Sequence, residues 1–267
     1  MQLRHVDRQQ YFNEQSESTG KFVVPYITEG IKRFHHATPA LGIGSRILEV
    51  GCGEGGNLMP FLELGCECYG VELCESSYQK SIEFYDNSAF INRLHLFNND
   101  MYKVTPQELG GTFDVVFLRD VLEHIHNQER FMQHLKQFLS PYGVLFVAFP
   151  PWRMPFGGHQ QVCKNRLLSK LPYFHLLPAK IYERVLQMSG ESPQGLLEIK
   201  ETGIGINRFE KIVRNEHYEV LTKTYWFINP NYQVKFGLKP SVLPKIFQIP
   251  FLQDFYITAT YYLLRAS

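Results

Sequence analysis

The sequence has few cysteines and almost no excess of charge, and both features limit the classes of protein to which it can belong. Five cysteines are scattered over 267 residues, an odd number without the paired spacing of a zinc site. This favours reduced thiols in a cytoplasmic protein. Lysines and arginines number 27 against 26 acidic residues, for a formal net charge of +1. Nothing in that balance draws the chain toward nucleic acid, so no nucleic-acid partner is predicted.

Long apolar runs are missing as well. The N-terminal segment 1–8 is polar, so no signal peptide is predicted. The most apolar late stretch, 246–264, is interrupted by polar residues and predicts no transmembrane helix. Apolar residues make up 44% and charged residues 20% of the chain, which is ordinary for a globular protein. We therefore expect one domain over residues 1–267, a size that a single α/β domain can reach.

A glycine-rich turn directly follows a short apolar run. The run, 46–50, is typical of a buried parallel strand, and Gly51, Gly53 and Gly56 follow it with the spacing G-x-G-x-x-G. Without Cβ atoms, such a loop lets its backbone approach a ligand. Glu72 comes 21 positions after Gly51 and ends the next predicted strand, where a carboxylate can hold ribose hydroxyls. The pattern by itself allows either a dinucleotide or another nucleoside-like ligand.

Glu49 separates these two ligands. It lies two positions before the first glycine, inside the end of the predicted strand. A carboxylate there repels a pyrophosphate but can hold an ammonium group, which favours a cationic nucleoside-like ligand. The other interpretation of Glu49 is a buried carboxylate with a structural role.

Strands and helices alternate from residue 46 to residue 149. This alternation predicts a doubly wound α/β sheet with right-handed crossovers and a ligand site at the carboxyl ends of its strands. The predicted strands are 46–50, 68–72, 94–97, 113–118 and 144–149. Residues 1–44 are expected to form an N-terminal helical cap. Residues 150–200, rich in proline and aromatic side chains, are expected to form a lid inserted after strand five.

Three stretches, taken together, carry a family resemblance. They are the glycine loop with its strand (46–55), the tetrapeptide Tyr-Gly-Val-Glu at 69–72, and the segment 113–124, which ends in Asp-Val-Leu-Glu-His. In this order they resemble the motifs of class I S-adenosylmethionine (SAM) dependent methyltransferases, over roughly residues 45–150. The resemblance implies a mostly parallel seven-stranded sheet with an antiparallel last strand, completed by the runs 218–228 and 255–264. It also implies SAM as cofactor and methyl transfer as activity.

The resemblance also places the cofactor at the ends of the first four strands. The loop amides approach the methionyl part, Glu72 holds the ribose, Asp100 accepts from the adenine amino group and Met101 packs on the ring. Arg119 contacts the methionyl end, mostly through its backbone. The implied contacts are Glu49, Gly51, Cys52, Gly53, Gly55, Asn57, Glu72, Leu73, Asp100, Met101 and Arg119. Asn57 is also a candidate helix cap, and Asp100 a candidate turn cap.

Methylation of an oxygen nucleophile requires removal of its proton, so we looked for a base after strands four and five. His159 follows two glycines in the predicted lid, and we expect an exposed loop that turns it into the site as the catalytic base. The alternative is a loop histidine bonded to a carbonyl. Four lid aromatics form either an acceptor wall or a small core of the lid itself: Trp152, Phe156, Tyr173 and Phe174.

The acceptor is expected to be a small molecule or a glycan-like compound, methylated on oxygen rather than on nitrogen or carbon, because a lid histidine suits a hydroxyl group. The apolar segment 167–185 leaves quinones and lipids open. No metal site is predicted: of Asp120, His124 and His126, only the first two have helical i, i+4 spacing. The competing classes are an NAD-dependent oxidoreductase and a non-catalytic SAM-binding protein. Nothing in the sequence predicts an oligomeric state.

Overall fold

The structure, a computed structural model, describes residues 7–34 and 40–266. Residues 1–6 and 35–39 of the predicted N-terminal cap, and Ser267, lie outside the described residues. The strands are β1 (Arg46–Val50), β2 (Glu67–Glu72), β3 (Leu94–Asn98), β4 (Phe113–Arg119), β5 (Leu139–Phe149), β6 (Tyr218–Ile228), β7 (Ser241–Val242) and β8 (Ala259–Ala266). The α-helices are α1 (Arg8–Ser18), α2 (Val24–Phe34), α3 (Met59–Glu63), α4 (Glu75–Tyr85), α5 (Gln128–Leu135), α6 (Ala179–Met188), α7 (Gln194–Thr202), α8 (Ile206–Asn215) and α9 (Asn231–Phe236).

The strands of the described chain form one eight-stranded sheet in the order β3-β2-β1-β4-β5-β8-β6-β7. Strands β1 to β5 are parallel, and β8 is antiparallel to both of its neighbours, β5 and β6. This confirms the predicted doubly wound α/β sheet with an antiparallel last strand. The additional strand is β7, which has two residues and pairs with β6 at the sheet edge. Since the strand order reverses between β1 and β4, the ligand crevice belongs at the carboxyl ends of these two strands.

Alternation along the central strand divides the core into two layers. In β4, Val116 and Leu118 pack on one face of the sheet with α5 and α8, and Val115 and Phe117 pack on the other face with α2. Because both faces are covered, β4 is apolar almost throughout, as expected for a central parallel strand. The two layers cover both faces of the sheet, which places a ligand at the carboxyl edge of the strands.

Strand β5 begins at Leu139, five residues before the predicted start at 144. Over this early part, the register with β4 shifts between Phe113 and Val115. Gly143 permits this close pairing, because a Cβ atom there would lie 2.5 Å from the carbonyl oxygen of Phe113. The five added residues therefore extend the strand as an irregular pairing.

The helices before β1 cover one side of the glycine loop. Helix α1 continues through a π-helical turn, Thr19–Val23, into α2, and Phe12 and Val23 are buried with Cys52 and Leu58. A Cβ atom at Gly56 would lie 2.6 Å from the carbonyl oxygen of Phe12, so the loop and α1 are in direct backbone contact.

Residues 150–200 contain short 3₁₀ turns followed by α6 and α7. Their apolar side chains form a separate cluster that includes Leu168, Phe174, Tyr182 and Leu186, with Trp152 packed against it. Within the described residues, none of the helices has both the length and the apolar character needed to cross a membrane.

Candidate active site

The loop after β1 is shaped by glycines in left-handed conformation. Gly51 and Gly53 have φ values of +69° and +55°, which L side chains adopt only at a cost. At Gly51 an added Cβ would also lie 2.7 Å from a methyl carbon of Val121. At Gly53 no atom lies within 4 Å of an added Cβ, so the backbone faces open space. The loop is an open cradle that a ligand can approach closely at Gly53.

Glu72 fixes this cradle from the end of β2. One carboxylate oxygen accepts a hydrogen bond from the Gly53 amide at 2.8 Å, and the other accepts from the Cys74 amide at 2.7 Å. A carboxylate offers about four acceptor positions, so both oxygens retain capacity for the vicinal hydroxyls of a ribose. Leu73, next in sequence, is 72% exposed and is available to cover a ligand at this edge.

Asn57 has a different role from the predicted helix cap. The 3₁₀ turn Gly56–Leu58 is preceded by Gly55 without a side-chain cap bond, and Asn57 lies inside the turn. Its amide nitrogen donates to Glu49 at 2.7 Å, and its oxygen accepts from Thr19 at 2.7 Å and from Arg119 at 3.2 Å. The cap prediction is wrong because these buried groups satisfy the side chain instead.

Arg119 joins the N-terminal helices to the loop. Its guanidinium donates to the Thr19 hydroxyl at 2.7 Å and to the Ser18 hydroxyl at 2.8 Å. The side chain is therefore engaged in the protein, and a ligand can reach Arg119 only through its backbone or after rearrangement. Glu49 is 1% exposed, and burial raises the pKa of its carboxyl well above the usual value, against the opposing effects of Asn57 and Arg119. The hydrogen bond that Glu49 accepts from Asn57 supports the loop. This agrees with the interpretation of Glu49 as a buried carboxylate with a structural role.

Two further contacts hold the loop and were missed by sequence reasoning. Arg8 of α1 forms an ion pair with Glu54, and the hydroxyl of Tyr85 in α4 donates to the carbonyl oxygen of Gly55 at 2.9 Å. Both partners lie at least 30 positions from the loop residue they contact. No local sequence pattern predicts contacts between residues so far apart in the chain.

The remaining predicted cofactor residues lie at the same edge of the sheet. Asp100 accepts from the Tyr102 amide at 3.0 Å and caps the turn Met101–Lys103, while Met101 is largely buried in the core. Cys52 is buried with its thiol toward β2, because a Cβ at Gly70 would lie 2.7 Å from the Cys52 sulfur. Burial raises the pKa of its thiol well above the usual value.

A second group of polar side chains gathers where β4 and β5 end. Glu123 places Oε1 3.9 Å from Nε2 of His124 and 4.0 Å from Nε2 of His159, and the two imidazole rings lie 5.1 Å apart at a steep angle. Glu123 and His159 are buried, whereas the His124 side chain is 25% exposed. We call Glu123, His124 and His159 the carboxylate–histidine cluster.

The structure corrects the environment of His159. The predicted exposed loop is wrong, because the residue is only 5% exposed and has φ +56°. The preceding glycines serve close packing: an added Cβ would lie 2.2 Å from the Trp152 carbonyl oxygen at Gly157, and 2.2 Å from Cβ of His175 at Gly158. Nδ1 of His159 has no hydrogen-bond partner among residues 7–34 and 40–266, so the alternative of a carbonyl-bonded loop histidine finds no support there.

Helix α7 holds the other half of the cluster in place. The hydroxyl of Thr202 donates to the Glu123 carbonyl oxygen at 2.6 Å. The side-chain amide of Gln128 donates to the carbonyl oxygens of Leu122 and Thr202 at 3.1 and 2.6 Å. Because Val121 contacts Gly51, the same turn abuts the glycine cradle. The turn that carries Glu123 and His124 thus begins beside the glycine loop.

Of the three residues weighed as metal ligands from the sequence, only His124 belongs to this cluster. The His126 side chain is 62% exposed and lies 3.8 Å from Glu198. In the cluster, one ligand atom from each of Glu123, His124 and His159 lies within 4.8 Å of the others, a spacing that can hold a metal ion. Sequence reasoning did not combine them because His159 comes 35 positions after His124.

The predicted acceptor wall divides between two roles. Trp152 and Phe174 belong to the separate core of residues 150–200, which agrees with the alternative interpretation. Tyr173 is partly exposed and its hydroxyl donates to the carbonyl oxygen of Phe255 at 2.9 Å, joining the lid to the segment before β8. Phe156 is also partly exposed, so it and Tyr173 are the aromatics available to a ligand.

Comparison with known proteins places this geometry in a family. The model of the methyltransferase domain family matches residues 22–202, which include the glycine loop, Glu72 and the carboxylate–histidine cluster. The chain belongs to this family. The resemblance to class I SAM-dependent methyltransferases, stated above on three motifs, is confirmed, and SAM is the cofactor that this fold binds.

Individual relatives agree. The chain is 32% identical over 173 residues to a ubiquinone biosynthesis O-methyltransferase of Rhizobium etli, covering 61% of this chain and 64% of the relative. It is 30% identical over 112 residues to the enzyme of the same name in Mesorhizobium japonicum, covering 39% and 41%. The match thus spans less than two thirds of these relatives.

Among solved structures, the magnesium protoporphyrin IX methyltransferase of Synechocystis with bound S-adenosylhomocysteine (SAH) superposes with a TM-score of 0.54. It is 13% identical, and the match covers 98% of this chain and 89% of that one. At this identity the likeness shows the fold alone.

Proposed function

We propose that this chain transfers the methyl group of SAM to a hydroxyl group of a small apolar molecule. The observation that carries the proposal is the carboxylate–histidine cluster, because the turn that bears Glu123 and His124 follows Val121, which packs against Gly51 of the cradle. A proton acceptor beside the cofactor suits an oxygen nucleophile, which must lose its proton as the methyl group arrives. Alignment of oxygen, methyl and sulfur then supplies most of the remaining catalysis.

The cradle fits SAM group by group. The open backbone at Gly53 admits the methionyl and ribose parts without a side chain in the way. Glu72 accepts from the ribose hydroxyls, Leu73 covers that edge, and the free acceptor capacity of Asp100 serves the adenine amino group. The loop is held in place by buried hydrogen bonds that join Asn57 to Glu49 and to the side chain of Arg119.

The preference for an apolar acceptor rests on the surface of the lid. Leu167, Ile181 and Met188 are large apolar side chains that stand exposed on this segment. The relatives named ubiquinone biosynthesis O-methyltransferases support methylation on oxygen. A glycan-like acceptor, also considered from the sequence, finds no comparable support in the described surface.

Within the cluster, we assign His159 as the group that receives the proton and Glu123 as the carboxylate that orients it, at 4.0 Å. His159→Ala should lower methyl transfer by about a hundredfold or more while SAM affinity stays nearly unchanged, since base catalysis contributes about that factor. The assay follows SAH release with a panel of alkyl-substituted phenols, and calorimetry measures SAM binding separately.

His126→Ala is the matched control, because His126 lies two positions after His124 but is exposed and outside the cluster. Equal turnover of both variants would remove His159 from the chemistry. Tight SAM binding without turnover on any acceptor would favour the alternative of a non-catalytic SAM-binding protein.

A further inference from the structure

We infer that the carboxylate–histidine cluster binds a divalent cation, through the Glu123 carboxylate and one ring nitrogen from each of His124 and His159. The inference rests on the proposed function, since the cation would act on the acceptor hydroxyl. It changes the role of His159 from base to ligand. The sequence predicted no metal site.

The distances carry the first step. Oε1 of Glu123 lies 3.9 and 4.0 Å from the two Nε2 atoms, and the three ligand atoms fall within 4.8 Å of one another. Protein oxygen and imidazole ligands lie about 2.0–2.2 Å from zinc, so two ligands of one ion stand roughly 3–4 Å apart. Side-chain shifts of well under 1 Å bring the three atoms around a common centre.

Burial carries the second step. Glu123 is 3% exposed and His159 5% exposed, so these two groups face each other inside the protein, where charged side chains occur paired or as metal ligands. In the part of the chain that the structure describes, Nδ1 of His159 has no hydrogen-bond partner. No described bond therefore locks the ring in one orientation, and either nitrogen can turn toward Glu123.

The ligand set indicates the chemistry. Two imidazoles and one carboxylate make a three-ligand site that leaves coordination positions open, as in catalytic zinc and non-haem iron sites. The open side is the partly exposed face of His124. A hydroxyl held there loses its proton to solvent more readily because the cation stabilises the charge left on oxygen. That oxygen then forms a bond to the methyl carbon, the carbon–sulfur bond of SAM breaks, and SAH leaves.

Cobalt(II) is the probe, because its visible absorption reports coordination by nitrogen and oxygen. Chelator-treated protein is titrated with cobalt(II), and zinc(II) is titrated by calorimetry. We expect saturation at one equivalent for the unmodified chain and for His126→Ala. Affinity should fall by at least about tenfold in Glu123→Gln and in His159→Ala. SAM binding in each variant verifies that the cradle remains folded.

The outcomes separate this inference from the proposed function. Absence of a saturable cobalt spectrum, or equal affinities in all four proteins, would overturn the metal site. Methyl transfer that survives chelation in full would overturn it as well, while leaving His159 as the base. Loss of transfer on chelation with recovery on adding zinc(II) or magnesium(II), together with the variant affinities, would support it.

Discussion

Removing the carboxylate of Glu72 should weaken SAM binding by about 1–3 kcal/mol. In the protein its two oxygens accept from the amides of Gly53 and Cys74 at 2.8 and 2.7 Å, and in the complex they would also accept from the ribose hydroxyls. Glu72→Ala removes both sets of bonds. A hydrogen bond to a charged group contributes about 1.5–3 kcal/mol. Glu72 is partly exposed, so water offsets part of this loss, and 1–3 kcal/mol corresponds to a factor of roughly 5 to 150 in Kd.

Glu72→Gln tests the same role more finely. The amide keeps one carbonyl oxygen but turns an NH₂ group toward one of the two backbone amides, so two donors face each other. Its SAM affinity should therefore fall almost as far as that of Glu72→Ala. Both variants are measured by calorimetry with SAM and with SAH.

Glu67→Ala is the matched control, because Glu67 begins the strand that Glu72 ends and bonds to His95 and Tyr69, away from the cradle. Its affinity for SAM should equal that of the unmodified chain. Equal affinities of Glu72→Ala and Glu67→Ala would refute the ribose role of Glu72.

Three other perturbations follow from the structure. Gly53→Val should abolish SAM binding and lower stability by about 1–2 kcal/mol, because Gly53 has a left-handed backbone conformation. Gly44 before β1 also has a positive φ, so Gly44→Val is the control and should still bind SAM. SAM binding by Gly53→Val would show that the loop does not contact the ligand. Arg119→Met should lower the free energy of unfolding, measured in urea, by about 2–4 kcal/mol, because it removes buried hydrogen bonds from a charged group. Arg208 forms an ion pair at the surface, so the control Arg208→Met should cost less than about 1 kcal/mol. Equal losses would show that the buried hydrogen bonds of Arg119 do not stabilise the fold. Burial lowers the pKa of His175 from 6.5 to about 4, so the folded state binds fewer protons and stability should fall, by about 3 kcal/mol at most, as pH drops from 6.5 to 4. His175→Gln should flatten that slope in thermal unfolding, and an unchanged slope would place its origin elsewhere.

The local sequence pattern predicted the bounds of individual strands and the glycine-rich loop. The strands β1 and β6 have the predicted bounds, 46–50 and 218–228, because the first is a short apolar run before a glycine turn and the second is rich in aromatic and β-branched residues, which favour strands. The glycine spacing likewise predicted the cradle, since left-handed φ values at Gly51 and Gly53 require glycine. Glu72 was located by the same rule, from its distance to the loop along the chain.

Contacts between distant segments could not be predicted in this way. Arg119 and Thr19 are 100 positions apart, and no periodicity relates them. Thr19 and Arg119 both donate hydrogen bonds to Asn57, which is why the prediction of Asn57 as a helix cap is wrong. His159 was selected for its glycines, yet the glycines bury it against Trp152 and His175. The cluster with Glu123 arises only when the ends of β4 and β5 come side by side.

Calorimetric titration of the unmodified chain with SAM, SAH and NAD tests the central claim most directly. The cradle, the carboxylate of Glu72 and the family match predict micromolar binding of both SAM and SAH, and no measurable heat from NAD. Binding of NAD with no response to SAM or SAH would contradict the account and favour the oxidoreductase class.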